Sequence, residues 1–282
     1  MNALEQAVFS ASCLRHALPE TFRPRSWIVW WPLIIAHGAW LAALVWFAHP
    51  AVAALMVPLL ERLAGPEVLH YPNVFRVLPG LNARGAFVLL AVLGPVVAGA
   101  AALVFDDVFA GSRPAPGRAL ARAARRAPAL IAAQLPLQLA LLALTFGVSA
   151  WLEGRGSSGL TVRAFMLASL GAGVVAQSVF LYVPASVMLG GCGPLEAWRE
   201  IPRAVGRAGV VALLLVAAAA VLGVPFQQAA DMADPLVDRG RPEIMVAVVA
   251  AQVAFGLAVA LVLTASSVLA YRSLLGPRED AP

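Results

Sequence analysis

Residues 191–209 read GCGPLEAWREIPRAVGRAG and lie between two long apolar runs of the chain. Pro194 predicts the start of a helix, because a proline at the first helical position loses no hydrogen bond that the helix needs. Pro202 predicts that this helix kinks or ends one turn early. Weaker versions of the arrangement occur at residues 112–128 and at the N-terminus. The sequence therefore predicts three copies of one unit, each with an interfacial segment followed by apolar spans.

The polar positions of this stretch predict an amphipathic helix in the plane of the membrane interface. Leu195, Trp198 and Val205 fall on one side of the helix, and the charged residues fall largely on the other. In this interpretation Trp198 and Leu195 enter lipid and the arginines meet headgroups. The alternative is a solvated loop whose arginines only set the topology. The candidate lipid- or partner-binding residues here are Trp198, Arg199, Arg203 and Arg207.

The second copy reads SRPAPGRALARAARRAP and predicts a basic helix that opens at Pro116. Arg118, Arg122 and Arg125 recur at helical spacing, which makes a basic stripe with the same candidate role. The third copy is the N-terminus, which is predicted to be helical before Pro19 ends it. Its apolar stripe consists of Leu4, Val8, Ala11, Leu14 and Leu18.

The composition indicates a polytopic membrane protein. Of 282 residues, 61% are hydrophobic and 12% are charged, whereas a soluble domain carries about 25% charged residues. The apolar runs are continuous, which favours transmembrane helices over the alternating strands of an outer-membrane barrel. We expect an all-α fold in which six spans form three repeated hairpins, in units 1–106, 107–190 and 191–282. The predicted spans are 27–48, 86–105, 129–151, 164–190, 208–226 and 244–270.

The arginines predict the orientation. All 20 basic residues are arginine, and 13 of them fall on one side if both termini are cytoplasmic. The positive-inside rule favours that topology, in a bacterial inner membrane. The same rule explains the net charge of +5 without a nucleic-acid partner. We expect the partners to be anionic lipid headgroups, with protein partners or a homo-oligomer left open.

The sequence offers few candidates for catalytic or metal-ligating residues. His37 is the one titratable side chain deep in a span; a haem site would need a second ligand, so a neutral histidine hydrogen-bonded between helices is expected. Asp106-Asp107 suggest paired acids, or a solvated helix end that pairs with arginines. Cys13 and Cys192 are two thiols without the full set of partners that a zinc site needs, and neither zinc nor a disulfide is expected.

Residues 49–85 form the longest predicted connection. Residues 51–60 are apolar but too short to span a membrane, so a re-entrant or interfacial piece is expected. The following residues, 67–85, are predicted to be an exposed contact surface or a loop that packs over its own bundle.

The junctions AGSRPAPGRALARAARRAPALI (110–131) and VPASVMLGGCGPLEAWREIPRAVGR (183–207) resemble those of a family of bacterial six-span proteins. Residues 90–275 are similar to the membrane domain attached to some glycerophosphoryl diester phosphodiesterases. The resemblance implies six spans at the inner membrane. The hydrolase activity of that family resides in a separate soluble domain, which these residues do not contain, so the activity does not carry over.

Three functions remain as hypotheses. The first is a non-enzymatic membrane component that assembles with partners or organises lipid. The second is a permease for an apolar or lipid-like solute, because prolines break several spans while charges are missing from them. The third is an enzyme acting on lipid, for which Asp106-Asp107 is the one candidate. We expect the first, with no catalytic residue, metal or cofactor.

Overall fold

The computed structural model describes residues 3–147, 159–238 and 241–275, and these residues form helices and short connections without a β-strand. The end of the predicted third span, at 148–151, and the tail at 276–282 lie outside the described residues. A polytopic membrane helix bundle is expected to have this make-up, because a helix satisfies its own backbone hydrogen bonds.

Eleven α-helices follow one another along the described residues, and short 3₁₀ or π turns extend some of them. Their bounds are α1 Ala3–Thr21, α2 Pro24–Trp27, α3 Trp31–Val45, α4 Pro50–Ala64, α5 Asn73–Phe109, α6 Pro116–Arg125, α7 Ala127–Leu142, α8 Gly159–Phe180, α9 Val183–Met188, α10 Pro194–Asp238 and α11 Glu243–Leu274.

Among the described residues, six helical segments are long and apolar enough to cross a membrane, which agrees with the predicted number of spans. The arrangement in three hairpins, the repeat boundaries and the orientation stay predictions. The six segments are Pro24–Val45, Asn73–Phe109, Ala127–Gly147, Ala164–Met188, Pro194–Pro225 and Glu243–Leu274.

The predicted interfacial helices are of two kinds in the structure. α1 and α6 are separate helices that precede a spanning segment. The segment at 194–207 is instead the first part of α10, a continuous helix of 45 residues. The predicted early end at Pro202 is therefore wrong. Proline removes one internal hydrogen bond, but the turns on either side are held by packing, since Ala197 and Ala204 are buried.

The predicted connection at 49–85 is also mostly helical. α4 occupies Pro50–Ala64, and α5 begins at Asn73, so the predicted loop at 73–85 is the first third of a 37-residue helix. Leu78 and Leu81 are almost fully buried in this part of α5. Their burial outweighs the weak helix propensity that prolines and glycines suggested from the sequence.

The chain divides into two units by its internal contacts. The first unit comprises Met1–Val29, Pro95–Ala220 and Leu261–Pro282, and the second comprises Trp30–Gly94 and Val221–Ala260. In the first unit, a core forms around a small-residue face of α10, with Ala208 and Ala212 fully buried. Small residues let helices approach closely, which is the usual way helices associate in lipid.

The second unit has a larger-residue core. Leu44 of α3, Leu60 of α4 and Leu81 of α5 pack together with residues of α10 and α11. Gly85 of α5 lies directly against the indole of Trp40, and a methyl group added there would overlap the ring. Gly85 is therefore required by the close approach of α3 and α5.

Replacing Gly85 with alanine should destabilise the protein. Alanine favours a helix by up to about 1 kcal/mol over glycine, but the overlap with Trp40 forces a rearrangement that typically costs about 1–3 kcal/mol. The matched control is Gly80→Ala on the same helix, where nothing lies within 4 Å of the new methyl group. Thermal unfolding in detergent should show a lower Tm for Gly85→Ala and an equal or higher Tm for Gly80→Ala. An unchanged Tm for both would contradict the packing.

Candidate functional site

The stretch at 191–209 begins α10 with a backbone cap. The amide of Gly193 donates to Oε2 of Glu196 at 2.8 Å, which is half of a capping box at the N-terminus of the helix. Gly191 has a φ of 71°, a left-handed conformation that glycine adopts without strain. The predicted helix start at Pro194 is confirmed.

Trp198 is used in packing within the first unit. Its indole N–H donates to the carbonyl of Ala133 in α7 at 2.9 Å, and the side chain is half-buried. The donor that a lipid headgroup would need is therefore occupied. Leu195, on the same predicted face, is 63% exposed.

The arginines of the second copy have two different environments. Arg118, Arg122 and Arg125 are exposed on α6, and none of them forms an ion pair with a described residue. The neighbouring Arg126 is half-buried and donates from Nη1 to the carbonyl of Val187 at 2.6 Å. Val187 lies in the last turn of α9, where carbonyls lack a helical donor. Arg126 therefore caps α9, and only the other three form a free basic stripe.

The predicted acid pair does not form a shared site. Nη1 of Arg272 donates to the carbonyl oxygen of Asp106 at 2.8 Å and to its carboxylate oxygen Oδ1 at 3.0 Å. The backbone carbonyl of Asp107 accepts from Ser112 instead. The predicted pairing of this helix end with an arginine is confirmed for Asp106.

A cleft of about 1020 Å³ lies in the first unit. Its wall is formed by the end of α8, by α9, by the first turns of α10, by the last turns of α11 and by Gln6 of α1. The predicted residues Arg203 and Arg207 line it, and Arg199 does not. The charged residues of its lining are Glu200, Arg203, Arg207 and Arg272.

Sequence reasoning did not place Arg272 with the arginines of α10. It counted Arg272 on the same predicted cytoplasmic side as Arg203 and Arg207, but treated Arg272 only as the anchor of the last span. The lining of the cleft brings the start of α10 and the end of α11 together.

The hydroxyl of Tyr271 reaches the cleft because residue 190 is glycine. A Cβ at Gly190 would lie 2.8 Å from the Tyr271 hydroxyl oxygen and 2.7 Å from the carbonyl oxygen of Ser186.

Arg203 forms an ion pair with Glu200 at 3.4 Å, and both side chains are about half exposed. Such an exposed pair contributes at most about 1 kcal/mol, so Arg203 is readily released to another anion.

Cys192 lines the cleft but is a weak nucleophile. Partial burial raises the pKa of its thiol, and the carboxylates of Glu196 and Glu200 raise that pKa further. Burial raises the pKa of the Cys13 thiol to about 11. Both cysteines therefore carry a protonated thiol at neutral pH, and the thiolate is the form that reacts.

His37 is buried in the second unit with 4% exposure, and neither ring nitrogen has a hydrogen-bond partner among the described residues. The predicted hydrogen bond between helices is therefore wrong. In the described part of the chain, no group of three or more His, Cys, Asp or Glu side chains could hold a metal ion.

Comparisons with models of protein families, with curated proteins and with solved structures gave no match. The resemblance to the membrane domain of phosphodiesterases therefore stays a prediction.

The raised pKa of Cys192 predicts its reaction with iodoacetamide. In a Cys13→Ser variant, the alkylation rate should reach half of its maximum at a pH above about 8.5, which is the midpoint for an ordinary thiol. Replacing Glu200 with glutamine removes a negative charge, so it should lower the pKa and speed the reaction at pH 8. A rate profile with its midpoint at or below about pH 8.5 would contradict the raised pKa.

Proposed function

We propose that this chain is a non-enzymatic, multi-pass protein of a bacterial inner membrane that binds and organises anionic lipids at the cytoplasmic face. The single observation that carries the proposal is the exposed basic stripe of α6. The six apolar spans support the membrane location, and the distribution of arginines supports cytoplasmic termini.

The packing of α6 holds its arginines outward. Ala119 and Ala123 are buried on one side of the helix, with 6% and 0% exposure. Arg118, Arg122 and Arg125 are exposed away from that side. A basic residue near an anionic membrane surface contributes about 1 kcal/mol to attraction. Three on one rigid helix favour a local cluster of anionic headgroups.

The environments of the reactive groups favour a non-enzymatic role. Asp106, the strongest sequence candidate for acid–base chemistry, is bound by Arg272. Cys192 is the one thiol in the cleft lining, and its raised pKa makes it a poor nucleophile at neutral pH.

The proposed binding of anionic lipid is tested by measuring which lipids remain bound to the protein during extraction. The protein is extracted from its own membrane with a polymer that retains surrounding lipid, and the anionic fraction is measured. The wild type should be enriched in anionic lipid over the bulk membrane. Replacing Arg118, Arg122 and Arg125 with glutamine should remove most of this enrichment, because the attraction is electrostatic and additive to first order.

The matched control replaces Arg62 and Arg241, two exposed arginines on the predicted outer side, with glutamine. This double variant should keep the enrichment. Equal enrichment in the triple variant and the wild type would refute the role of α6. A protein partner that is lost with the three arginines, without a change in lipid, would favour a membrane complex instead.

A second candidate is a permease for an apolar or lipid-like solute. It is favoured by an apolar cavity of about 410 Å³ in the second unit, where Ala39, Ala42 and Ala43 face Trp46 and Val52. If the cavity conducts, vesicles containing the protein should move a fluorescent lipid between leaflets, and Ala42→Trp should slow this movement by filling the cavity. The same rate in vesicles with and without the protein would exclude this role for that lipid.

A further inference from the structure

The cleft of the first unit has the features of a binding site for a phosphate group, and this site is distinct from the basic stripe of α6. Arg203 and Arg207 come from α10, and Arg272 comes from α11, so two helices converge on one cavity. Arginine suits phosphate because its planar guanidinium presents several donors at once. We infer that this cleft binds one phosphate group, with Arg207 and Arg272 as its principal donors. The inference deepens the proposed function, since the group is expected to belong to a lipid.

The charge balance of the cleft favours a single anion. Arg272 is offset by Asp106, and Arg203 is offset by Glu200. Arg207 forms no ion pair with any residue that the structure describes. One positive charge is therefore left uncompensated, which matches the single negative charge of a phosphodiester.

Arg272 is already oriented for a ligand. Its Nη1 nitrogen makes both contacts to Asp106, and the other two nitrogens make no hydrogen bond to a described residue. An arginine has five N–H donors in a fixed plane. Holding the guanidinium by one nitrogen lowers the entropy that a ligand must remove when it binds the others.

The rest of the lining fits an amphipathic ligand. The hydroxyl of Tyr271 lies against Gly190 in the lining of the cleft, so it can donate to a phosphate oxygen. Apolar side chains continue the wall on the same cavity, among them Val179, Ile201 and Leu275. A headgroup with the start of its acyl chains satisfies both parts of the lining, whereas a soluble phosphate satisfies only the polar part.

Cys192 supplies a reporter within the cleft itself. It lines the cavity, and the other cysteine, Cys13, is buried with 4% exposure. In the Cys13→Ser variant, a bound ligand should protect Cys192 from alkylation at pH 8.5. The measurement is made in maltoside detergent, which carries no phosphate, under three conditions: without lipid, with added phosphatidylglycerol, and with inorganic phosphate.

We expect phosphatidylglycerol to protect Cys192. Arg207→Gln should weaken this effect roughly tenfold in the lipid concentration required, as expected for one charge-assisted hydrogen bond. Arg199→Gln is the matched control, because Arg199 is exposed on the same helix and does not line the cleft. It should keep the protection. Protection by inorganic phosphate alone, sensitive to Arg207→Gln, would assign the site to a soluble phosphate source.

Two results overturn the inference. One is equal alkylation of Cys192 under all three conditions. The other is protection by phosphatidylglycerol that Arg207→Gln leaves unchanged. The α6 triple variant separates the two proposals, since it should lose lipid enrichment and still show protection of Cys192. If Arg207→Gln loses the protection of Cys192 but keeps the enrichment of anionic lipid, the role of α6 is unaffected.

Discussion

The close packing of small residues along α10 is the constraint on which the described site depends. Ala197, Ala204 and Ala208 are buried, at spacings of seven and four residues, so one narrow face of the helix contacts protein. In lipid, helices gain little from hydrophobic contact and associate through close packing instead. The buried face is narrow because it consists of alanines. The neighbouring residues Arg203 and Arg207 therefore lie beside it and remain exposed.

Three polar contacts of the first unit occur at helix ends. Arg126 satisfies a carbonyl in the last turn of α9, Glu196 caps α10, and Arg272 joins the end of α11 to Asp106. Helix ends carry unsatisfied backbone groups, and in a membrane protein they must find partners or meet water. One of these side chains, Arg272, also lines the cleft, together with Arg203 and Arg207 of α10. The arrangement explains how a chain with 12% charged residues can still form a polar site.

Much of the architecture was predictable because it follows from hydropathy. The long charge-free runs predict six helices that span a membrane. The described part of the chain contains six helices that are long and apolar enough to do so. The helix starts at Pro116 and Pro194 were also correct, because proline at a first helical position is a local signal. Helix continuity was predicted less well. Pro202 and the glycines and prolines before Ala86 indicated breaks, but tertiary packing supplied more free energy than the local preferences cost.

The sequence by itself determined that the chain forms helices, that six are long enough to span a membrane, and that its basic residues cluster between spans. These properties depend on composition and on spacing along one helix, so they are visible without a fold. Only the tertiary structure decided which arginines are used in packing and which are free. Arg126 and Arg125 are neighbours in sequence, yet one caps α9 and the other is exposed. The distinction depends on what lies opposite each side chain, and that is set by contacts between residues far apart in the chain, such as Arg126 with Val187 and Arg272 with Asp106.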